Sequence, residues 1–278
     1  MKRIVTLQDI SCVGRCSLTV ALPVISAMGV ECGILPTAVL STHTMFPGFT
    51  CRDLSDQIVP IGRHWTEQGI SFDAIYTGYL ATEAQCSQVR DFFRRFRTAS
   101  NLVFVDPAMA DSGKLYPAFG PDFPAAMAAV CQDADIIVPN ITEACLLTGT
   151  AYQAEPSLQY ITDLLKKLLS LGCGQALLTG VSPAPGKLGV MGMNQAGETF
   201  SYYTQWLPQS YHGTGDLFAS VCVGGLMNGL SLAEAARIAA DFVVVCIAAT
   251  AANPKAPWYG VEFEGQIPKL LSLLEQAR

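Results

Sequence analysis

The chain of 278 residues is long enough for one large α/β domain, and no low-complexity linker divides it. It is 50% hydrophobic and 14% charged with a net charge of −6, which argues against nucleic acid or an anionic membrane as a partner and favours oligomerisation. The N-terminal apolar tract is too short for a signal-peptide core, and the longest apolar run, residues 242–252, is half the length of a membrane helix. We therefore expect a cytoplasmic protein. Ten cysteines without a C-x-x-C pair predict reduced, buried thiols.

Short β-rich runs alternate with helical patterns along the chain. Strands are predicted at 4–7, 31–35, 74–78, 102–105, 135–138 and 176–179, and helices at 17–28, 54–68, 83–97, 122–132 and 158–171. Residues 187–193 and 199–205 alternate like an antiparallel hairpin, and three helices finish the chain. The second of these begins with a capping box of Ser231 and Glu234. This order predicts a single α/β domain over residues 1–278, with a mostly parallel sheet, helices on both faces and an antiparallel edge.

Polar residues follow most of the predicted strands. In open α/β sheets the ligand binds beyond the carboxyl ends of the strands, so these residues are the candidates for a binding site. They are Asp9, Ser41 to Thr44, Thr77 to Tyr79, Asp106, Asn140 and Thr179.

The stretch Gly213-Thr214-Gly215-Asp216 stands directly before the apolar run 217–230, which reads as a buried helix. A helix start leaves backbone N–H groups unpaired, and glycines let an anion approach that backbone, so the turn can hold a phosphate. An aspartate beside such a turn is not needed to bind the anion and is a candidate general base. The alternative is an ordinary first-turn Asp, stabilised by the helix dipole.

Two predicted strand ends carry further carboxylates. Asp111 follows Asp106 by five residues, and Glu143 follows Asn140 by three. Magnesium with a triphosphate takes one or two carboxylates, often through water, and Asp111 and Glu143 fit that role. Asn140 and Glu143 fit equally well as a structural capping box, and Asp106 before a proline is also ordinary turn chemistry.

Together these motifs resemble the ribokinase-like superfamily of small-molecule kinases, and within it the pyridoxal kinase branch. The resemblance runs from about residue 4 to 228 and is specific in its combination. Its pieces are Gly213-Thr214-Gly215-Asp216, Asn140-x-x-Glu143, Val105-Asp106-Pro107 with Asp111-Ser112-Gly113-Lys114-Leu115-Tyr116, Thr77-Gly78-Tyr79, and Ser41-Thr42-His43-Thr44.

The resemblance implies a ribokinase-like three-layer sandwich that phosphorylates the 5-hydroxymethyl group of a vitamin B6 vitamer with ATP. It also implies a homodimer, Mg²⁺ and a possible monovalent cation. Gly213, Thr214 and Gly215 would form the anion hole, and Asp216 would be the base. The implied substrate contacts are Asp9, Ser41, His43, Thr44 and Tyr79; the implied nucleotide contacts are Asp106, Asn140, Thr179 and Thr214; and the implied magnesium supports are Asp111 and Glu143. Residues 42–53 would form a flap that excludes water.

Some positions depart from the family pattern. Ala108 and Ala110 replace a bulkier residue and a glycine, and Asp9-Ile10-Ser11 replaces a Ser-His-Val segment with a longer turn. We hypothesise that Asp9 favours pyridoxamine over the aldehyde, because a carboxylate accepts hydrogen bonds from an ammonium group.

Two other functions stay open at this stage. A hydroxymethylpyrimidine kinase has a similar fold and acts on a similar alcohol, and a non-catalytic vitamin- or nucleotide-binding protein could keep the fold for regulation. Among single residues, His64 reads as structural, His212 as a nucleotide contact or a packing residue, and Tyr79 as a ring contact or a core aromatic.

Overall fold

The computed structural model describes all residues from Met1 to Arg278. The strands are β1 (Arg3–Ser11), β2 (Glu31–Leu40), β3 (Cys51–Asp53), β4 (Ala74–Thr77), β5 (Leu102–Val105), β6 (Ala110–Asp111), β7 (Lys114–Leu115), β8 (Ile136–Ile137), β9 (Gln175–Val181), β10 (Lys187–Asn194) and β11 (Thr199–Gln205). The helices are α1 (Leu18–Ala27), α2 (Ser55–Glu67), α3 (Glu83–Phe96), α4 (Phe123–Gln132), α5 (Ile141–Thr148), α6 (Leu158–Leu169), α7 (Thr214–Met227), α8 (Leu232–Ala252) and α9 (Ile267–Gln276), with a short 3₁₀ turn at Glu264–Gln266 before α9.

Nine strands form one sheet in the order β11-β10-β9-β8-β5-β4-β1-β2-β3. The strands from β9 to β2 run parallel to one another, which confirms the predicted mostly parallel sheet. The hairpin of β10 and β11 forms the predicted antiparallel edge. The opposite edge is antiparallel as well, because β3 pairs with β2. Sequence patterns missed β3 because its three residues are all exposed and carry no buried face.

Each face of the sheet carries its own hydrophobic core, because successive side chains on a strand point to opposite faces. On β1, Val5 and Leu7 join a core with helices α2 to α6, whereas Ile4 joins a core with α1, α7, α8 and α9. The result is the predicted three-layer arrangement of helices, sheet and helices. The carboxyl ends of the parallel strands and the start of α7 meet at one edge of this sandwich.

Helix α8 is longer than the apolar run that the sequence singled out. Its 21 residues are long and apolar enough to cross a membrane by length and composition, and 44% of its most apolar window is buried inside the protein. It packs on α7 and β11. A core helix of a soluble protein meets the same criteria.

The cysteines form no disulfide. Seven are buried, as predicted, but Cys12 and Cys51 are exposed and Cys32 is half-buried. The exposed pair lies in the loop after β1 and in β3, where neither thiol has an apolar core to join.

Candidate active site

The turn before α7 requires glycine at its first position. Gly213 has φ 82° and ψ 1°, and a Cβ on it would lie 1.7 Å from the carbonyl oxygen of Arg15. At Gly215 an added Cβ would meet nothing within 4 Å. The hydroxyl of Thr214 donates to the carbonyl of Tyr211 at 3.2 Å, which closes the turn. The helix start therefore leaves open space beside Gly215, the arrangement that suits an anion.

Asp216 lies in the first turn of α7 and is half-buried. Desolvation raises the pKa of its carboxyl to about 7; the backbone N–H of Ser17 lowers that pKa, and the nearby charge of Asp9 raises it. Its backbone carbonyl accepts a hydrogen bond from Ser220 Oγ at 2.6 Å. A carboxyl with this pKa can exchange a proton near neutral pH, as a general base must.

A cavity of about 460 Å³ opens beside this helix start. It brings together all four residues predicted to contact the nucleotide, and Glu143 and Gly215 with them. The polar lining includes Asp106, Asn140, Glu143, Thr179 and Thr214. A backbone bridge between Asn140 and Thr179 ties two of these strand ends together.

Apolar side chains also line the cavity, and sequence analysis missed them. Phe218 on α7, Val243, Val244 and Ile247 on α8, and Leu188 on β10 line it together with residues 204–211. A planar base can pack on such a wall while its phosphates reach the start of α7. The apolar run in α8 was the available signal, but it gave no indication of which face would line a cavity.

Asn140 and Glu143 form the structural capping box that the sequence left as an alternative. Asn140 Oδ1 accepts from Glu143 N at 2.9 Å, and Glu143 Oε2 accepts from Asn140 N at 2.8 Å. The remaining atoms are also used, since Glu143 Oε1 accepts from Met109 N at 3.1 Å and Asn140 Nδ2 donates to Ala110 O at 2.8 Å. Burial raises the pKa of Glu143 to about 8, against the effect of these hydrogen bonds.

The two other carboxylates differ in setting. Asp106 is buried, and desolvation, followed by the charges of Glu143 and Asp216, raises its pKa well above the usual range. Asp111 is exposed, accepts a hydrogen bond from Ser112 N at 2.7 Å and does not line the cavity. No cluster of three or more His, Cys, Asp or Glu side chains forms a ready metal site.

None of the predicted ring contacts lines this cavity. Asp9 is buried, burial raises its pKa, and its Oδ2 accepts from Ser11 Oγ at 3.1 Å. Tyr79 is half-buried against Phe119, with ring centroids 5.4 Å apart. Burial raises the pKa of Tyr79 to about 12, and the charge of Asp9 adds to this effect. Asp9 therefore lies within electrostatic reach of both Tyr79 and Asp216.

The predicted flap, residues 42–53, consists of the loop after β2 and of strand β3, which is paired with β2. Ser41, the residue before the flap, pairs with Thr50, whose N–H donates to Ser41 Oγ at 2.9 Å. Thr44 is exposed. His43 is buried, and backbone groups occupy both of its ring nitrogens, which leaves neither free for a ligand. His212 packs on the His43 ring at 4.4 Å, so it is a packing residue here.

The family model for phosphomethylpyrimidine kinase matches residues 22–257. A pyridoxine/pyridoxal/pyridoxamine kinase of Bordetella avium is 26% identical over 263 residues, which cover 89% of this chain and 85% of that protein. Pyridoxal kinase from Lactobacillus plantarum has a crystal structure with a TM-score of 0.91 and 34% identity, covering 99% of each chain. A candidate phosphomethylpyrimidine kinase from Bacteroides thetaiotaomicron, in an orthorhombic crystal form with pyridoxal, reaches a TM-score of 0.91 and 36% identity, covering 100% of this chain and 96% of the other.

Proposed function

The chain belongs to the phosphomethylpyrimidine kinase family, whose members are phosphotransferases with an alcohol acceptor, and we propose that its acceptor is the 5-hydroxymethyl group of a vitamin B6 vitamer. ATP is the phosphoryl donor. Pyridoxal, pyridoxamine and pyridoxine are the candidate acceptors, and their 5′-phosphates would serve vitamin salvage. The pyridoxal kinase from L. plantarum and the B. thetaiotaomicron protein with pyridoxal support this choice, each at more than 30% identity over nearly the full chain.

One observation carries the proposal. Asp216, with a pKa of about 7, directly follows Gly215, which lines the nucleotide cavity, and lies within electrostatic reach of Asp9; we place the acceptor ring on the Asp9 side, so that Asp216 is at the boundary of the two sites. A base at that boundary can take the proton of an acceptor hydroxyl held on one side while the γ-phosphate is held on the other.

We assign each of the site residues a role in the phosphoryl transfer. Phosphate oxygens contact the N–H groups of the turn from Gly213 to Gly215, where the helix start favours negative charge. Asp216 accepts the proton of the hydroxymethyl group as its oxygen attacks the γ-phosphorus. Asp106, Asn140, Thr179 and Thr214 line the side where ADP leaves. Asp9, Ser41, Thr44 and Tyr79 hold the acceptor ring, and the flap keeps water from the transferring group.

Magnesium fits this donor set. The buried Asp106 and Glu143 carboxyls have raised pKa values, and a cation beside them favours their ionised forms. Asp106, Glu143 and Asp111 would hold the ion, and Glu143 would act on it through water, because both of its side-chain oxygens already accept from backbone N–H groups. The ion would neutralise charge on the phosphates, and a monovalent cation could add to that effect.

A hydroxymethylpyrimidine kinase is the second candidate, and the description of the matched family favours it. Purified protein should be assayed for ATP-dependent phosphorylation of pyridoxal, pyridoxamine, pyridoxine and hydroxymethylpyrimidine, with Asp216→Ala beside the wild type. The proposal expects the B6 vitamers to have the higher kcat/KM and the variant to lose turnover. Preference for the pyrimidine would reverse the assignment, and undiminished turnover in Asp216→Ala would remove Asp216 as the base.

We also propose that the chain works as a cytoplasmic homodimer without nucleic acid or membrane partners. The low fraction of charged residues supports association. Light scattering on the purified protein tests the dimer, and cell fractionation tests the location.

A further inference from the structure

Residues 41–43, which join β2 to the flap and are called the root here, are fixed to the loop that follows β1. His43 N donates to Val13 O at 3.3 Å, and Val13 N donates to Ser41 O at 3.3 Å. The tip is different, because Met45 is 58% exposed and Phe49 is 38% exposed. The flap therefore has a paired root and an open tip.

The His43 side chain adds a second attachment. Its Nδ1 accepts from Met45 N at 3.2 Å, and its Nε2 lies 2.8 Å from the carbonyl oxygen of Tyr259. A carbonyl only accepts, so Nε2 carries the proton and the ring is the neutral Nε2–H tautomer. The ring also packs against Phe46 at 4.9 Å, inside the flap.

The segment that receives this hydrogen bond, residues 258–261, also contacts the anion-hole turn. Val261 N donates to the carbonyl of His212, the residue before Gly213, at 3.3 Å. The His212 ring packs on His43 at 4.4 Å, and Trp258 packs on Phe46 at 4.5 Å. One side chain therefore joins the flap, residues 258–261 and the start of α7.

We propose that His43 is a positioning residue that anchors the flap to residues 258–261 and to the anion-hole turn, and that it does not hydrogen-bond the acceptor. This anchoring role replaces the predicted role of His43 as a ring contact. It rests on the proposed function only for the identity of the groups that the flap covers. Without the anchor, the root separates from Tyr259 and His212 more often. Water then reaches the γ-phosphate more easily, and less of the enzyme holds the closed arrangement.

Proteolysis of the ligand-free, full-length protein tests the anchor directly. His43→Phe keeps an aromatic ring against His212 and removes both hydrogen bonds, whereas His43→Gln keeps a donor for Tyr259 O. We expect chymotrypsin to cut His43→Phe after Phe49 about tenfold faster than the wild type, the factor that one or two net hydrogen bonds are worth. Mass spectrometry separates this cut from one at the introduced phenylalanine. His43→Gln should recover most of the protection. His64→Phe, at an exposed histidine of α2, is the matched control and should match the wild type.

Kinetics give the readout that simple destabilisation would not move. The proposal expects His43→Phe to hydrolyse ATP without an acceptor severalfold faster relative to transfer, with a lower kcat, and His43→Gln to restore the ratio. Three results would each overturn the anchoring role of His43. The first is unchanged cleavage in His43→Phe, and the second is a first cut outside the flap, identified by mass spectrometry. The third is a higher KM for the vitamer with kcat and the hydrolysis ratio unchanged. The proteolysis needs no acceptor, so it decides the anchor even if no vitamer is phosphorylated and the proposed function fails.

Discussion

Gly213→Ala tests the anion-hole turn most sharply, because Gly215→Ala is a matched control two positions away. At Gly213 the backbone has φ 82°, and the new Cβ would lie 1.7 Å from the carbonyl oxygen of Arg15. The left-handed conformation costs an alanine about 1 kcal/mol. Moving a packed backbone by roughly 1.5 Å to relieve the overlap adds about 2 kcal/mol, the scale of overpacking. We therefore expect the free energy of unfolding to fall by about 3 kcal/mol.

Calorimetry and steady-state kinetics measure the outcome. Each kcal/mol moves Tm by about 3 °C in a large domain, so Gly213→Ala should melt about 10 °C lower and lose phosphoryl transfer. Gly215→Ala places its Cβ in open space that borders the cavity, so its Tm should hold or rise slightly while KM for ATP increases. Equal Tm values for the two variants would refute the close approach of Gly213 to Arg15.

Four further predictions concern the carboxylates. In the wild type kcat/KM should fall as pH drops below about 7 because Asp216 becomes protonated, whereas Asp216→Asn should be about 10² to 10⁴-fold slower with no such limb. Because burial raises the pKa of Asp216, its charge destabilises the folded state at high pH; Asp216→Asn should resist urea better than the wild type at pH 8, and this gain should shrink as pH falls from 7 towards 4. Asp111→Ala, at an exposed side chain, should raise the Mg²⁺ concentration for half-maximal rate without changing Tm. Glu143→Gln disturbs a buried capping box and should lower Tm as well. A loss of Tm in Asp111→Ala would contradict this difference. Asp9→Asn should lower the ratio of kcat/KM for pyridoxamine over pyridoxal, and unchanged selectivity would sink the role given to Asp9.

The sequence predicted the elements whose signals are local. The strand at 102–105 is β5 to the residue, since an apolar β-rich run between polar turns needs no distant partner to be recognised. The capping boxes at Ser231 and Asn140 formed because their atoms lie within one turn of helix. The residues predicted to contact the nucleotide came together because parallel strands end at one edge of a sheet.

Features set by distant contacts could not be read in the same way. Strand β3 exists only through its pairing with β2, and the end of β2 at Leu40 lies beyond the predicted strand. The family resemblance implied His43 as a substrate contact, and nothing in its local sequence indicates its hydrogen bond to Tyr259, 216 positions away. The apolar wall of the cavity depends on which face of α8 turns towards β10, and periodicity alone does not fix that orientation.

The two hydrophobic cores on the faces of the sheet also affect how the chain folds during its synthesis. Ile4, Tyr76 and Phe104 share one face of the sheet, and the helices that cover it besides α1 come from α7 onwards. During synthesis most of this apolar face stays exposed until the last quarter of the chain, which begins near α7, has left the ribosome. The nascent chain therefore exposes a hydrophobic sheet face for much of its translation. We expect it to bind chaperones, and to aggregate when translation stalls before α7.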